Sequence, residues 1–189
     1  MCRAFVNAAR VIIAAMIRCR FLAAIALLPL TANAPMPRPG GAAFIRAMLD
    51  SQNEARRAAG VPEIAWDDNL AVDAQQWADH LAGTSSFYHS DNDRGSDPDG
   101  EGENLFMGTQ DAYSYQQMVG MWVDEKKFYR DGVMPNLSTT GNWDDVGHYT
   151  QIIWSSTRRV GCALANNGED DYLVCRYSEP GNFYGESPR

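Results

Sequence analysis

Cysteine, histidine and basic charge are all scarce in this chain. Four cysteines and three histidines occur in 189 residues. Two of the cysteines, Cys2 and Cys19, fall in the first 34 residues, so at most one intrachain disulfide, Cys162 with Cys175, is open to the rest. No apolar run is long enough to span a bilayer comfortably. The longest, FLAAIALLPL, reaches about ten residues, where a spanning helix needs about twenty. No internal repeat is visible.

The first 34 residues carry Arg3, Arg10, Arg18 and Arg20 and no acid, followed by that apolar run and by TANA before Pro35. Basic region, apolar region and small-residue cleavage site stand in the order of a secretory signal. Residues 1–34 are therefore read as a signal peptide and 35–189 as a single domain, secreted to an extracellular or periplasmic space, with no stable membrane span after cleavage. An uncleaved anchor is the competing reading, because the leader is long and opens with its own apolar patch VIIAAMI. Lipid attachment at Cys19 is disfavoured by the arginine immediately before it. Without the leader, 12 basic residues face 24 acids, a net charge of −12. Such a surface repels nucleic acid and anionic membrane. A monomer binding a small partner is the expectation.

The two remaining cysteines lie in VGCALA and YLVCRY, which flank the turn NNGEDD. Antiparallel pairing with Cys162 opposite Cys175 also sets Val160 against Tyr177 and Leu164 against Leu173, so three apolar pairs share one face. A disulfide across so short a loop would stabilise by about 3 kcal/mol in the chain-entropy model.

Helical periodicity is predicted over residues 42–59, with Phe44, Ile45, Met48 and Leu49 apolar and Gly60 and Pro62 beyond the end. A second helix starts at a cap formed by Asp67 or Asp68, carries Leu70, Ala74, Trp77, Ala78 and Leu81, and stops at Gly83. The acidic loop that follows invites calcium, but an EF-type frame started at Asp91 or Asp97 puts Gly102 or Gly108 where a bidentate Glu is required. It is read as a solvated loop. A third helix is predicted over about 112–129, with a stripe of Met118, Met121, Trp122, Phe128 and Tyr129.

Glu125 falls on that stripe. A carboxylate there needs a cation, a donor or a metal-bound His nearby, or else it sits at the edge and reaches water. Glu103, between Gly102 and the apolar Leu105 and Phe106, raises the same question at a core boundary. His89 follows two aromatics at a loop start, His80 ends the second helix, and His148 precedes an apolar run in GHYTQIIW. Spacing does not choose which two histidines would meet.

The segments QNEARRAAGVPEIAWDDNLAVDAQQWA, FYHS, GENL, MWVDEKKFY, GHYTQIIW with VGCA, and YLVCRYSEPGNFYGESP together resemble the CAP superfamily: cysteine-rich secretory proteins, antigen-five proteins and pathogenesis-related proteins of group one, the SCP domain. The resemblance runs from about residue 44 to the C-terminus. It implies an α+β fold, an α-β-α sandwich with a small mixed sheet between helical layers. It also implies a cleft with His89, Glu103, Glu125 and His148, and leaves His80 a structural residue. In that cleft His89 and His148 would ligate Zn2+ or another divalent cation, with Glu103 and Glu125 as ligands or as supports of the imidazoles.

The same resemblance implies capture of a sterol or fatty acid by the segment after the third helix, where Phe128, Tyr129, Val133, Met134 and Leu137 would face the lipid. Metal-dependent hydrolysis with Glu103 or Glu125 as base is an alternative, though the sequence offers no nucleophile, and catalysis is not the leading expectation. An extracellular defence or host-interaction protein is another, since EPGNFYGESPR looks like the plant family's C-terminal signalling peptide. Two departures stand out: only Cys162 and Cys175 remain where many relatives have three or more disulfides, and Gln52-Asn53 replaces the family's HN.

Overall fold

The computed structural model describes residues 40–90 and 100–189. The proposed signal peptide and most of the acidic loop lie outside the described residues. The first helix, α1, is Ala42–Ala59, and its buried face repeats every four residues through Phe44, Met48, Gln52 and Arg56, the spacing that stacks side chains on one side of a helix. α2 is Asp68–Thr84, opened by Asp67, whose carboxylate accepts from the Asn69 and Leu70 amides at 2.9 and 3.3 Å. This satisfies two of the amides that lack helical partners. The helix runs one residue past Gly83.

α3, Tyr115–Asp124, is shorter than predicted at both ends. Ser114 and Gln117 form a capping box that fixes its start, and a 3-10 turn over Glu125–Phe128 replaces its last turn. Its buried face is Tyr115, Met118, Val119 and Trp122. Met121, expected on the stripe, is 43% exposed, because it is rotated past the edge of a face that Val119 occupies instead. A further 3-10 turn over Trp143–Val146 leads into the short α4, Gly147–Ile152, which places Ile152, Ile153 and Trp154 in the core.

The strands are β1 (Ala65–Trp66), β2 (Gly102–Thr109), β3 (Arg159–Asn166) and β4 (Asp170–Ser178), ordered β1-β3-β4-β2, with β1 parallel to β3 and the other pairs antiparallel. The hairpin register is the expected one: Val160 opposite Tyr177, Leu164 opposite Leu173, and Cys162 opposite Cys175 with a disulfide between them. Strand alternation divides the apolar side chains between two faces. Phe106, Val160, Cys162, Leu164, Leu173, Cys175 and Tyr177 pack with α1, α3 and α4. Leu105, Ala163, Tyr172 and Val174 pack on Ala74, Ala78 and Leu81 of α2. The architecture is thus an α-β-α sandwich. Gly161 lets α2 sit against the sheet, since a Cβ there would lie 2.1 Å from the Ala71 amide nitrogen. Among the described residues, no helix is long and apolar enough to cross a membrane.

A third, smaller core joins Met134, Leu137, Val146 and Trp154. Met134 and Leu137, expected to face a lipid, are buried in it, because their loop packs on Val146 and Trp154, the residues on either side of α4. Phe128 and Val133 remain 37% and 47% exposed, and Tyr129 packs edge-on against Tyr149.

Candidate functional site

β2 and the segment after α2 build the first half of the site. Glu103 sits on β2 with Arg176 of β4 directly opposite. The Glu103 side chain has no exposed surface; one oxygen is hydrogen-bonded and the other is held by an ion pair. Its Oε1 lies 2.7 Å from His89 Nδ1 and accepts from the Ser90 amide at 3.0 Å. Its Oε2 lies 2.8 Å from Arg176 Nη2. A buried carboxylate is tolerable when charge and donors surround it in this way.

The 3-10 turn after α3 and the start of α4 build the second half. Glu125 Oε1 lies 2.6 Å from His148 Nδ1, and Oε2 accepts from the backbone amides of His148 and Tyr149 at 3.0 and 3.1 Å. Both oxygens are committed, which resolves the alternative left open by periodicity: Glu125 turns to the start of α4, not to water. The His148 ring stacks on Trp122, 5.9 Å between centroids and 14° from parallel. Trp122 in turn donates its indole N–H to the Leu105 carbonyl at 3.0 Å. The imidazole is therefore clamped by an acid on one edge and an aromatic on one face.

A cavity of 580 Å³ brings the halves together. His89, Glu103 and His148 line it with Asn104, Trp143, Asp144, Gly147, Gln151, Gly181, Asn182 and Tyr184. His80 is elsewhere, stacked on Trp77 and 2.7 Å from the Tyr88 hydroxyl. Several wall residues carried no signal in the sequence. Gln151 is buried, accepting from the Gly181 amide at 2.9 Å and donating to Thr157 Oγ1 at 3.3 Å. It fits only because residue 102 is glycine, where a Cβ would lie 2.2 Å from Gln151 Oε1. Asn104 donates to the His148 carbonyl at 3.1 Å and to the Tyr177 hydroxyl at 3.2 Å, and Tyr177 donates to Gln52 at 2.8 Å. Burial pushes the Tyr177 phenol far above its ordinary range. It therefore serves this network as a neutral donor.

The donor chemistry suits a divalent ion. An imidazole whose Nδ1 is taken by a carboxylate offers Nε2 as the nitrogen with a lone pair, and the carboxylate raises its basicity. Among the described residues, no group of three or more His, Cys, Asp or Glu is close enough to hold a metal ion. Two imidazoles would thus need water or a ligand to complete a shell.

A two-sided sandwich with paired His–Glu contacts on one cleft defines a CAP-type domain. The chain belongs to the CAP family, the cysteine-rich secretory protein family, which it matches over residues 49–177. It is 39% identical to pathogenesis-related protein 1A of Nicotiana tabacum over 141 residues, 74% of this chain and 77% of that protein. It is 37% identical to pathogenesis-related protein PR-1 of Medicago truncatula over 147 residues, 77% and 79% of the two chains. Among solved structures it resembles NaASP2 with Zn2+, with a TM-score of 0.61 and 22% identity over 81% of this chain and 88% of that one. It also resembles Na-ASP-1 at 0.61 and 20%, over 82% of this chain and 46% of that one. At such identities the structural likeness carries the fold.

Proposed function

We propose that this chain is an exported binding protein whose cleft takes a divalent metal ion, zinc or a chemical equivalent, through His89 and His148. The observation that carries this reading is that each imidazole has Nδ1 held by its own carboxylate while both rings line one cavity. The relative NaASP2 has been crystallised with Zn2+. When bound, the ion would offer Lewis acidity and open coordination positions to a ligand. The chain's own part is to hold both imidazoles by Nδ1 and to wall the cleft with Trp143, Gln151 and Asn182. Hydrolysis is the weaker reading: Glu125 spends both oxygens on His148 and Tyr149, and Glu103 is enclosed by His89, Ser90 and Arg176. Zinc titration of the purified protein by calorimetry tests the proposal. Saturable binding lost in His148→Ala is expected; equal binding in both proteins overturns it.

A second reading is capture of a sterol or fatty acid. Exposed Phe128 and Val133, beside the buried Met134 and Leu137, favour it. Saturable binding of a radiolabelled sterol that falls at least severalfold in Phe128→Ser is the expected result. The relatives named for pathogenesis support a defence or host-interaction role outside the cell. N-terminal sequencing of the secreted protein, with Pro35 as the first residue, would agree with export and cleavage; recovery of the intact leader would favour the anchor.

A further inference from the structure

The two carboxylates that hold the imidazoles are themselves held differently. Glu125 is fixed by two backbone amides at the start of α4, contacts that no substitution at those positions other than proline removes. Glu103 has one backbone amide, from Ser90, and otherwise depends on a side chain, Arg176. Arg176 is 2% exposed, and among the described residues its guanidinium finds charge partners in acids of β2 and its approach: Glu103 at 2.8 Å and Glu101 at 3.5 Å. The register explains the pairing. Arg176 stands directly across from Glu103 in β2, while its other neighbour, Gly161 in β3, has no side chain to offer. Arg176 also lines a second cavity, of 470 Å³, which His89, Ser90, Asp73 and Trp77 line as well. His89 thus borders both cavities, and Glu103 takes its Nδ1.

We infer that Arg176 is the positioning residue of the His89 half of the cleft, acting through Glu103. It draws one carboxylate oxygen toward β4 and so aims the other at His89 Nδ1. Without it, Glu103 is a buried carboxylate with one backbone donor and its imidazole, and the cheapest relief is to rotate away from His89 Nδ1. The effect is confined to one imidazole, since nothing described joins Arg176 to Glu125 or His148. The inference rests on the reading of His89 as a ligand in the cleft, but its geometry does not require a metal.

The test compares Arg176→Met and Arg176→Lys with the unaltered protein. Nitrogen-15 spectra of the imidazoles, recorded where they are neutral, report which ring nitrogen carries the proton, and calorimetry reports zinc affinity. In Arg176→Met, His89 is expected to lose its preference for the Nδ1–H form while His148 keeps it, and zinc binding to weaken roughly ten- to a hundredfold, the range for supports of metal-binding His. Arg176→Lys retains the charge without the fork and is expected to fall between. An unchanged His89 spectrum in a folded variant overturns the inference, and so does an equal change at both histidines, which would mark a general structural role. If Arg176→Met does not fold, the Lys variant decides by the same two criteria. If the unaltered protein binds no zinc, the metal reading fails and the proton positions still decide the role of Arg176.

Discussion

Arg56 is the clearest case of a single residue supporting the fold. Its guanidinium is buried and donates to the carbonyls of Pro62, Ile152, Trp154 and Thr157 at 2.5 to 2.9 Å, so it ties α1 to the turn that leaves α4. Burial, with Arg158 nearby, lowers its pKa to about 10, which keeps it charged at neutral pH. Arg56→Met strands four carbonyls in the interior, and a loss of about 3 kcal/mol or more is expected in urea unfolding. Asp171 presents the opposite problem. Burial, with Asp111 and Asp170 adding like charge, raises its carboxyl above the ordinary range even though Oδ2 accepts from the Asp111 amide at 2.9 Å. An acid with a raised folded pKa stabilises the fold while protonated, and that contribution is lost as pH rises through the folded value. Asp171→Asn keeps an acceptor for the amide without the charge. Its melting temperature is expected to exceed the unaltered protein's at neutral pH, with the gap closing in acid.

At the scale of elements, the β3–β4 hairpin and its contact with α2 carry most of the consequence. Replacing both Cys162 and Cys175 by Ala frees a link of sequence separation 13, and a loss of about 3 kcal/mol is expected from chain entropy; denaturant melts under non-reducing conditions measure it. Gly161→Ala should be at least as damaging. The added carbon meets backbone atoms of α2 and its cap Asp67 at 2.1 to 2.6 Å, and backbone cannot rotate aside as a side chain can. A cost at or above about 3 kcal/mol is expected, with α2 displaced from the sheet.

Across the whole molecule, the C-terminal segment is a wall of the site and not a free tail. Gly181, Asn182 and Tyr184 line the cleft, Asn182 bonds Gly147 and Thr150 of α4, and the Met134 amide donates to the Glu186 carbonyl while Ser155 donates to Pro188. Arg189 closes the arrangement against Asp131 and over the Tyr129 ring. Protease is therefore expected to release this segment from the folded protein only after it opens, so release should accelerate with denaturant. Rapid release from the native protein would favour the signalling-peptide reading instead.

The sequence by itself determined the hairpin, its disulfide and its register, because side chains that alternate by two and must share a face leave one consistent pairing. It determined α1 and α2 through caps and a repeat of three and four, and the motif resemblance named all four His and Glu residues. Arg56 continues the spacing of Phe44, Met48 and Gln52, but the four carbonyls that surround it come from outside α1, three of them from residues distant along the chain. Tertiary structure alone decided where Glu125 points, that Met134 and Leu137 are core, and that Arg176 meets Glu103. Each depends on residues distant along the chain: Glu125 and His148 are joined across 23 positions, and Glu103 meets Arg176 only once β2 pairs with β4. Local periodicity fixes a side chain's face, whereas its partner is chosen by the packing of separate elements.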